Sequence, residues 1–335
     1  MKKGLKVILF NVVVVLFFFG ILELGIGLIL NNPSYIPAKL LKGFQNYYIH
    51  YDRDIVQYLP ESAVYDKELT YKLKPGKSTF KNREFNTTYN VNTFGLRDDE
   101  ISLKNPEIIV LGDSHAMGWG VEQDETFAQI IEEETGFTVL NAGISSYGTA
   151  REFMLLEQLN TANLKYLIIQ YCENDYNENK RLFNSPKKKL KIASEDSYNK
   201  RRQKHKKATK YYLFKHCIKI LGGVNKPKRR KSNVTKKEAR VFLNMIMKYK
   251  KLLGDTKIVV FSIDGRQSTD LMQKALQKEL MDKKFAFLKD KITVLEFSNE
   301  LSQDKYFVLD DHINTFGHQA IATKVIDVIN SKDLE

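Results

Sequence analysis

Ile108-Ile109-Val110-Leu111-Gly112-Asp113-Ser114-His115-Ala116 runs from an apolar stretch through a turn into an amphipathic stretch. Four consecutive branched apolar residues between polar flanks fit a strand buried on both faces. The Gly-Asp-Ser that follows places a serine where strand gives way to helix, beside unpaired backbone N–H groups and a positive dipole end. Such a serine is exposed and is a candidate nucleophile. Serine is also a common helix N-cap, so the position alone does not define chemistry.

Working outward from this run, short apolar segments recur at 107–111, 137–140, 166–171, 257–262 and 292–297, with helical periodicity at 124–134, 149–159, 237–253 and 268–283. Strand–helix alternation of this kind predicts a three-layer α/β domain on a five-stranded parallel sheet. Upstream, the alternation in Phe85-Asn86-Thr87-Thr88-Tyr89-Asn90-Val91-Asn92 predicts a hairpin or edge strands within 71–97, and Asn92-Thr93-Phe94-Gly95 is a turn signal. No internal repeat is evident.

Residues 5–30 are predominantly apolar, with Val12 to Phe19 uninterrupted. At ~1.5 Å per residue such a helix is about 39 Å long, enough for a hydrocarbon core of about 30 Å. Gly27-Leu28-Ile29-Leu30-Asn31 offers no Ala-x-Ala cleavage site, so an uncleaved anchor is expected. Lys2, Lys3 and Lys6 place its N-terminus in the cytoplasm and the rest of the chain outside, as a single-pass protein of the inner membrane. Asn11 and Glu23 interrupt the apolar helix, and Glu23 is tolerable near the outer headgroups or paired with another helix. The expected divisions are an anchor at 1–30, a juxtamembrane lead-in at 31–106 and an α/β domain at 107–335 with a basic insertion at 177–240.

The net charge of +13 is a local property. Residues 177–240 hold 23 of the 53 Lys and Arg but 4 of the 40 Asp and Glu, a balance of +19, which leaves the rest of the chain at −6. In a cytoplasmic protein this segment would suggest nucleic acid. Outside the cytoplasm, anionic lipid or a phosphate-bearing polymer is the expected partner, with a solvated disordered insertion as the alternative. Cys172 and Cys217 allow one bridge at most, and Cys172 is read instead as a small hydrophobe ending a buried strand.

A second chemical motif is Asp310-Asp311-His312, just ahead of the last helical pattern. In an extended loop residues i and i+2 point the same way, so Asp310 can orient the ring of His312 while Asp311 faces away. His318 is read as structural. Cys172-Glu173-Asn174-Asp175 follows the third strand, where Asn174 can donate its side-chain N–H to an oxyanion. Leu140-Asn141-Ala142-Gly143-Ile144-Ser145-Ser146 follows the second and can offer a backbone N–H.

Taken together, Gly-Asp-Ser, Asn-Ala-Gly, Asn-Asp and Asp-x-His-x-Asn resemble the SGNH hydrolases, also called GDSL esterases, over roughly residues 92–330. The run at 89–97 resembles the lead-in of membrane-anchored members. The resemblance implies a flavodoxin-like sheet and a serine esterase or acyltransferase without metal or other cofactor. It makes Ser114 nucleophile, His312 general base, Asp310 its orienting carboxylate, and the N–H of Ser114, a backbone N–H at Ser146 and the Asn174 side chain the oxyanion hole; His115 has no role. Three positions depart from the pattern. Ser146 stands where the family has glycine and must adopt the required φ/ψ. Leu309 stands where many members carry the triad aspartate, and Cys172 replaces a glycine.

The implied substrate is an acyl, chiefly acetyl, ester of envelope glycan or lipid. A catalytically weak envelope assembly or glycan-binding factor on the same fold is the alternative. An α/β-hydrolase is disfavoured because Ala116 stands at the last position of Gly-x-Ser-x-Gly. A metal phosphoesterase would draw on Asp113, His115, Asp310, Asp311, His312 and His318, but the remaining histidines, His50, His205 and His216, are poorly placed to complete a two-metal site.

Overall fold

The four side chains of Ile108–Leu111 are fully buried because the strand is paired on both edges and covered on both faces. The computed structural model describes residues 2–185, 189–222, 236–267 and 269–333. The chain opens with α1 (Lys2–Asn31) and α2 (Ala38–Tyr47). Two antiparallel hairpins follow: β1 (Ala63–Asp66) with β2 (Thr70–Leu73), and β3 (Gly76–Lys81) with β4 (Asn86–Val91). The short α3 (Glu100–Lys104) leads into β5 (Ile108–Leu111), α4 (Ser114–Met117), α5 (Phe127–Thr135) and β6 (Val139–Asn141). Then come α6 (Thr149–Leu156), β7 (Tyr166–Tyr171), α7 (Asp175–Asn184), α8 (Glu195–Thr209) and α9 (Lys215–Leu221). The chain continues through α10 (Lys236–Lys248), α11 (Lys250–Leu253), β8 (Lys257–Ser262) and α12 (Leu271–Leu280). It closes with α13 (Ala286–Lys289), β9 (Ile292–Val294) and α14 (Thr315–Asp333).

The sheet order is β6-β5-β7-β8-β9, all parallel, which is the doubly wound order of flavodoxin-like folds. Strand alternation divides the core into two layers. Ile109, Leu111, Leu167, Ile169, Ile258 and Val260 pack with residues of α6, α10 and α12, whereas Ile108, Val110, Tyr166, Ile168, Val259 and Phe261 pack with α5 and α14. The order reverses beside β5, so the loops after β5 and β7 flank the crevice where such sheets bind ligands.

The strands at 166–171 and 257–262 form as expected. The second strand begins two residues late and takes in Asn141, and the fifth, at the sheet edge, ends at Val294 rather than 297. The helix expected over 237–253 is broken at Tyr249, whose ψ of 14° departs from the helix and divides α10 from α11. The start expected at 268 for the next helix lies outside the described residues.

The lead-in shares its cores with the rest of the chain. Leu69, Tyr71 and Leu96 join the layer containing α6, and Phe80, Phe85, Tyr89 and Val91 pack on Met117 and Trp119. Parts of the basic segment are ordered as α8 and α9, while 186–188 and 223–235 lie outside the described residues. The helix α1 is long and apolar enough to cross a membrane, and its last turns pack against α9. Glu23, buried there, accepts hydrogen bonds from the backbone N–H groups of His216 (3.1 Å) and Cys217 (2.9 Å) and from the Tyr211 hydroxyl (3.0 Å).

Candidate active site

The turn from β5 to α4 has room for no side chain at residue 112. A Cβ there would come 2.6 Å from the Gln170 amide oxygen and 2.7 Å from Ala116 Cβ. Gln170, a polar residue on the buried strand β7, uses that oxygen to accept the Asp113 N–H at 3.0 Å. Asp113 then caps α4 by accepting the His115 N–H at 3.0 Å. Ser114 is thereby fixed at the first position of the helix, where its N–H has no intrahelical acceptor. The loop after β6 approaches α4 closely. A Cβ at Gly143 would lie 2.5 Å from the Met117 nitrogen, and the Asn141 side chain bridges the Ala116 carbonyl and the Gly143 N–H, both at 3.0 Å.

Ser114 Oγ lies 2.7 Å from His312 Nε2, and His312 Nδ1 lies 2.5 Å from Asp310 Oδ1. With Nδ1 protonated toward the carboxylate, Nε2 is free to accept the serine proton. Asp310 is fully buried and receives five donors among the described residues: His312 Nδ1 and N–H, Arg53, the Tyr48 hydroxyl (3.0 Å) and the Trp119 indole N–H (3.1 Å). Burial alone would raise its pKa, but the charges of Arg53 and His312 and these hydrogen bonds hold it well below the usual carboxylate range. Trp119 also stacks on the His312 ring, with centroids 4.4 Å apart and planes 12° apart, which fixes the ring plane.

Asp311 does not face away as expected. Arg53 reaches across both carboxylates, 2.9 Å from Asp310 and 2.7 Å from Asp311, which brings Asp311 Oδ1 within 3.6 Å of His312 Nδ1. The guanidinium thus stands where a cation bridging these two carboxylates would sit. The 307–310 loop is gripped from two sides. Glu84 accepts the N–H groups of Val308, Leu309 and Asp310 at 2.6–2.8 Å, and Arg266 donates to the carbonyls of Phe307, Val308 and Asp310.

The opposite wall of the same pocket, of about 460 Å³, contains Ser146 and Asn174. Ser146 adopts φ 61°, the left-handed conformation natural to glycine, and its hydroxyl accepts the Gln57 amide at 3.0 Å. That conformation costs a non-glycine residue about 1–3 kcal/mol, and Ser146 adopts it nonetheless. Asn174 precedes α7 at the N-cap with no side-chain capping bond, and its amide remains on the pocket wall. Cys172 lies one residue beyond β7 and also lines the pocket, so it does not end the buried strand. Cys172 and Cys217 are both free thiols.

Asp113, Glu173, Asp264 and Asp311 make the pocket acidic despite the chain's positive total. Burial pushes Asp264 up to about 6, partly opposed by the Glu173 N–H and the Ser262 hydroxyl. His115 sits 4.8 Å from the His312 ring, and burial together with His312 lowers it to about 4, so it is neutral near pH 7. His318 accepts the Phe127 N–H at 3.1 Å through Nδ1, and burial lowers it to about 3; its role is structural, as expected.

Sequence reasoning missed Tyr48, Arg53, Glu84, Trp119 and Arg266. Only Trp119, the single tryptophan and five residues after Ser114, carried a usable signal. The others are ordinary polar residues far from either motif.

Among solved structures, this chain is similar to a G-D-S-L family protein from Desulfitobacterium hafniense DCB-2, at 13% identity over 67% of this chain and 99% of that one, with a TM-score of 0.37. It is similar to an acetyl xylan esterase from Butyrivibrio proteoclasticus at 12% identity, covering 74% and 67% of the two chains, TM-score 0.38. A catalytic mutant of an acetylxylan esterase from Geobacillus stearothermophilus matches at 10% identity, covering 67% and 94%, TM-score 0.36. No protein-family model matches the chain, and no curated protein does.

Proposed function

We propose that this chain is a membrane-anchored serine esterase or O-acyltransferase acting on acetyl or similarly small neutral esters of envelope glycan or lipid. The observation that carries this reading is the unbroken pair of hydrogen bonds from Ser114 through His312 to buried Asp310, at the C-terminal ends of parallel strands. Ser114 Oγ attacks the ester carbonyl carbon as its proton passes to His312 Nε2. Negative charge moves to the carbonyl oxygen, where the N–H groups of Ser114 and Ser146 and the Asn174 amide receive it. The intermediate collapses to acyl-Ser114, and the proton on Nε2 passes to the departing alkoxide. Water or a second hydroxyl then attacks the acyl-serine, with His312 taking its proton, and Ser114 is regenerated.

Asp113, Glu173 and Asp264, the pocket carboxylates not paired with Arg53, support a neutral acyl group, since an anionic one would meet like charge. The basic N-terminal residues support a cytoplasmic N-terminus with the catalytic domain outside the inner membrane. The basic segment includes α8, whose lysines suit anionic lipid or polymer.

A fluorophosphonate probe tests the reading. Ser114 is expected to label covalently and Ser114→Ala not at all, and mass spectrometry after incubation with an acetyl donor is expected to place the acetyl group on Ser114. A folded protein whose Ser114 takes neither probe nor acetyl would be a binding factor on this fold. Release of acetate in water, against transfer to added glycan, separates hydrolase from transferase.

A further inference from the structure

Glu23 and its partners fix the depth of α9. If Lys2, Lys3 and Lys6 lie at one headgroup layer, the apolar helix enters hydrocarbon near Leu5. Glu23 is then ~27 Å along the helix and Phe19 ~21 Å along it, at ~1.5 Å per residue. In a hydrocarbon core of about 30 Å both positions fall inside the far leaflet, and tilting the helix places them deeper. At that level α1 is not alone. The Phe214 ring packs on Phe19 with centroids 6.1 Å apart, Cys217 Sγ lies 3.8 Å from the Phe19 carbonyl, and the N–H groups of His216 and Cys217 serve Glu23.

The outward face of this segment is apolar. Leu213 is 70% exposed, Leu221 62% and Ile218 52%, with Tyr211 and Tyr212 also exposed. Leu24, next to Glu23 on α1, is exposed as well. The polar groups of the segment point inward instead. Buried Lys215 donates to the carbonyls of Tyr51 (2.5 Å) and Thr209 (2.7 Å), and His216 pairs with Glu23. Lys219, inside the stretch, holds its ammonium 4.4 Å from the centroid of the Tyr51 ring, and Lys210 just ahead of the stretch can reach headgroup phosphates while its stem stays in lipid.

We propose that residues 211–221 form a second lipid-embedded element, a short wedge set into the leaflet on the catalytic side against the anchor. This goes beyond electrostatic docking of the basic segment and rests on the reading of α1 as a membrane anchor. The occupant of the exposed apolar face is the acyl region of the bilayer, because that face continues the lipid-facing surface of α1 at the same depth. Ile26, Leu30, Tyr47, Tyr48, Cys217 and Leu309 share one buried cluster, so anchor, wedge and the residue preceding Asp310 form a continuous body. The wedge thereby sets the height of the catalytic pocket above the membrane.

The full chain, reconstituted in phosphatidylcholine vesicles, tests the wedge. Leu213→Trp and Leu221→Trp each add an emitter, and lipids brominated near the headgroup end of their chains are expected to quench most of the added emission while aqueous iodide quenches little. Leu16→Trp, in the middle of α1, is the control and is expected to be quenched by lipid brominated deep in the chain. If Leu16→Trp is quenched and the other two are not, the wedge is overturned and the anchor stands. If Leu16→Trp is not quenched either, the anchoring reading falls and takes the wedge with it. Fluorophosphonate labelling of each variant confirms that it is folded.

Discussion

On one wall of the pocket, Asp310 and His312 are buried beneath groups drawn from four separate parts of the chain, at 48–53, 84, 119 and 266; on the other, Ser146 and Asn174 are exposed, and among the described residues Gln57 alone bonds a side chain there. The difference follows the charges each wall handles. Asp310 carries a permanent negative charge in a dry site, and an unpaired charge there would cost several kcal/mol, so donors must surround it. In the reaction proposed above the oxyanion exists only in passing, and donors awaiting it would have to stay open until substrate arrives. One wall is closed by its electrostatics, and the other is left open by its task.

Four substitutions break or sharpen this contrast. The largest effect is expected for Asp310→Asn, which leaves His312 without its charge partner and lowers the acylation rate by about 10³–10⁴-fold. Asp311→Asn, at a half-exposed carboxylate, is expected to change that rate far less. Equal effects in stopped-flow ester cleavage would show that Arg53 couples the two acids into one unit.

On the open wall, Asn174→Ala is expected to lower kcat by about 10²–10³-fold with KM nearly unchanged, because its amide acts on the transition state. An unchanged kcat would assign the oxyanion to backbone N–H groups alone. Tyr48→Phe removes one donor from the closed wall and is expected to cost about 1.5–3 kcal/mol of stability, the range for hydrogen bonds to charged groups, read by denaturant unfolding.

The last effect is read against pH and leaves the chemistry of both walls untouched. Glu152 is fully buried with neither carboxylate oxygen hydrogen-bonded among the described residues, and burial, with Asp175 nearby, raises its pKa well above the ordinary value. A group raised in this way contributes stability that is complete below its unfolded value and is lost as pH rises through the folded one. Glu152→Gln is therefore expected to flatten the alkaline side of the stability profile, with an advantage over wild type that grows by up to about 1.4 kcal/mol per pH unit above pH 5. Melting temperatures that fall in parallel for the two proteins between pH 5 and pH 9 would refute this.

The parallel sheet was legible because each of its strands is a local event, a short apolar run between polar flanks. The two central strands, 166–171 and 257–262, were placed to the residue, since burial on both faces leaves no ambiguous end. The edge strand was overextended because polar neighbours beyond Val294 still alternate with Leu295 and Phe297; Leu295 gives one last backbone hydrogen bond to Val260, and Phe297 turns its N–H to the Asp270 carboxylate instead. Ser114, His312 and Asp310 were legible for a similar reason, as each stands at a fixed offset within one loop. Asp311 was misplaced because its direction is set by Arg53, 258 residues away in the chain.

The sequence by itself determined the layered α/β sheet, the apolar N-terminal helix, and the serine, histidine and aspartate that come together. Periodicity encodes the sheet and the helix, and the Asp310–His312 spacing is local, while the resemblance of four short motifs to a known family is what joins Ser114 to that loop. Only the tertiary structure decided that Tyr48, Arg53 and Glu84 of the lead-in close over the Asp310 loop, that Ser146 holds a glycine's conformation, and that Glu23 is met by α9. Those contacts join residues far apart in the chain through single polar groups, and no local pattern specifies which distant carboxylate or N–H will need a partner.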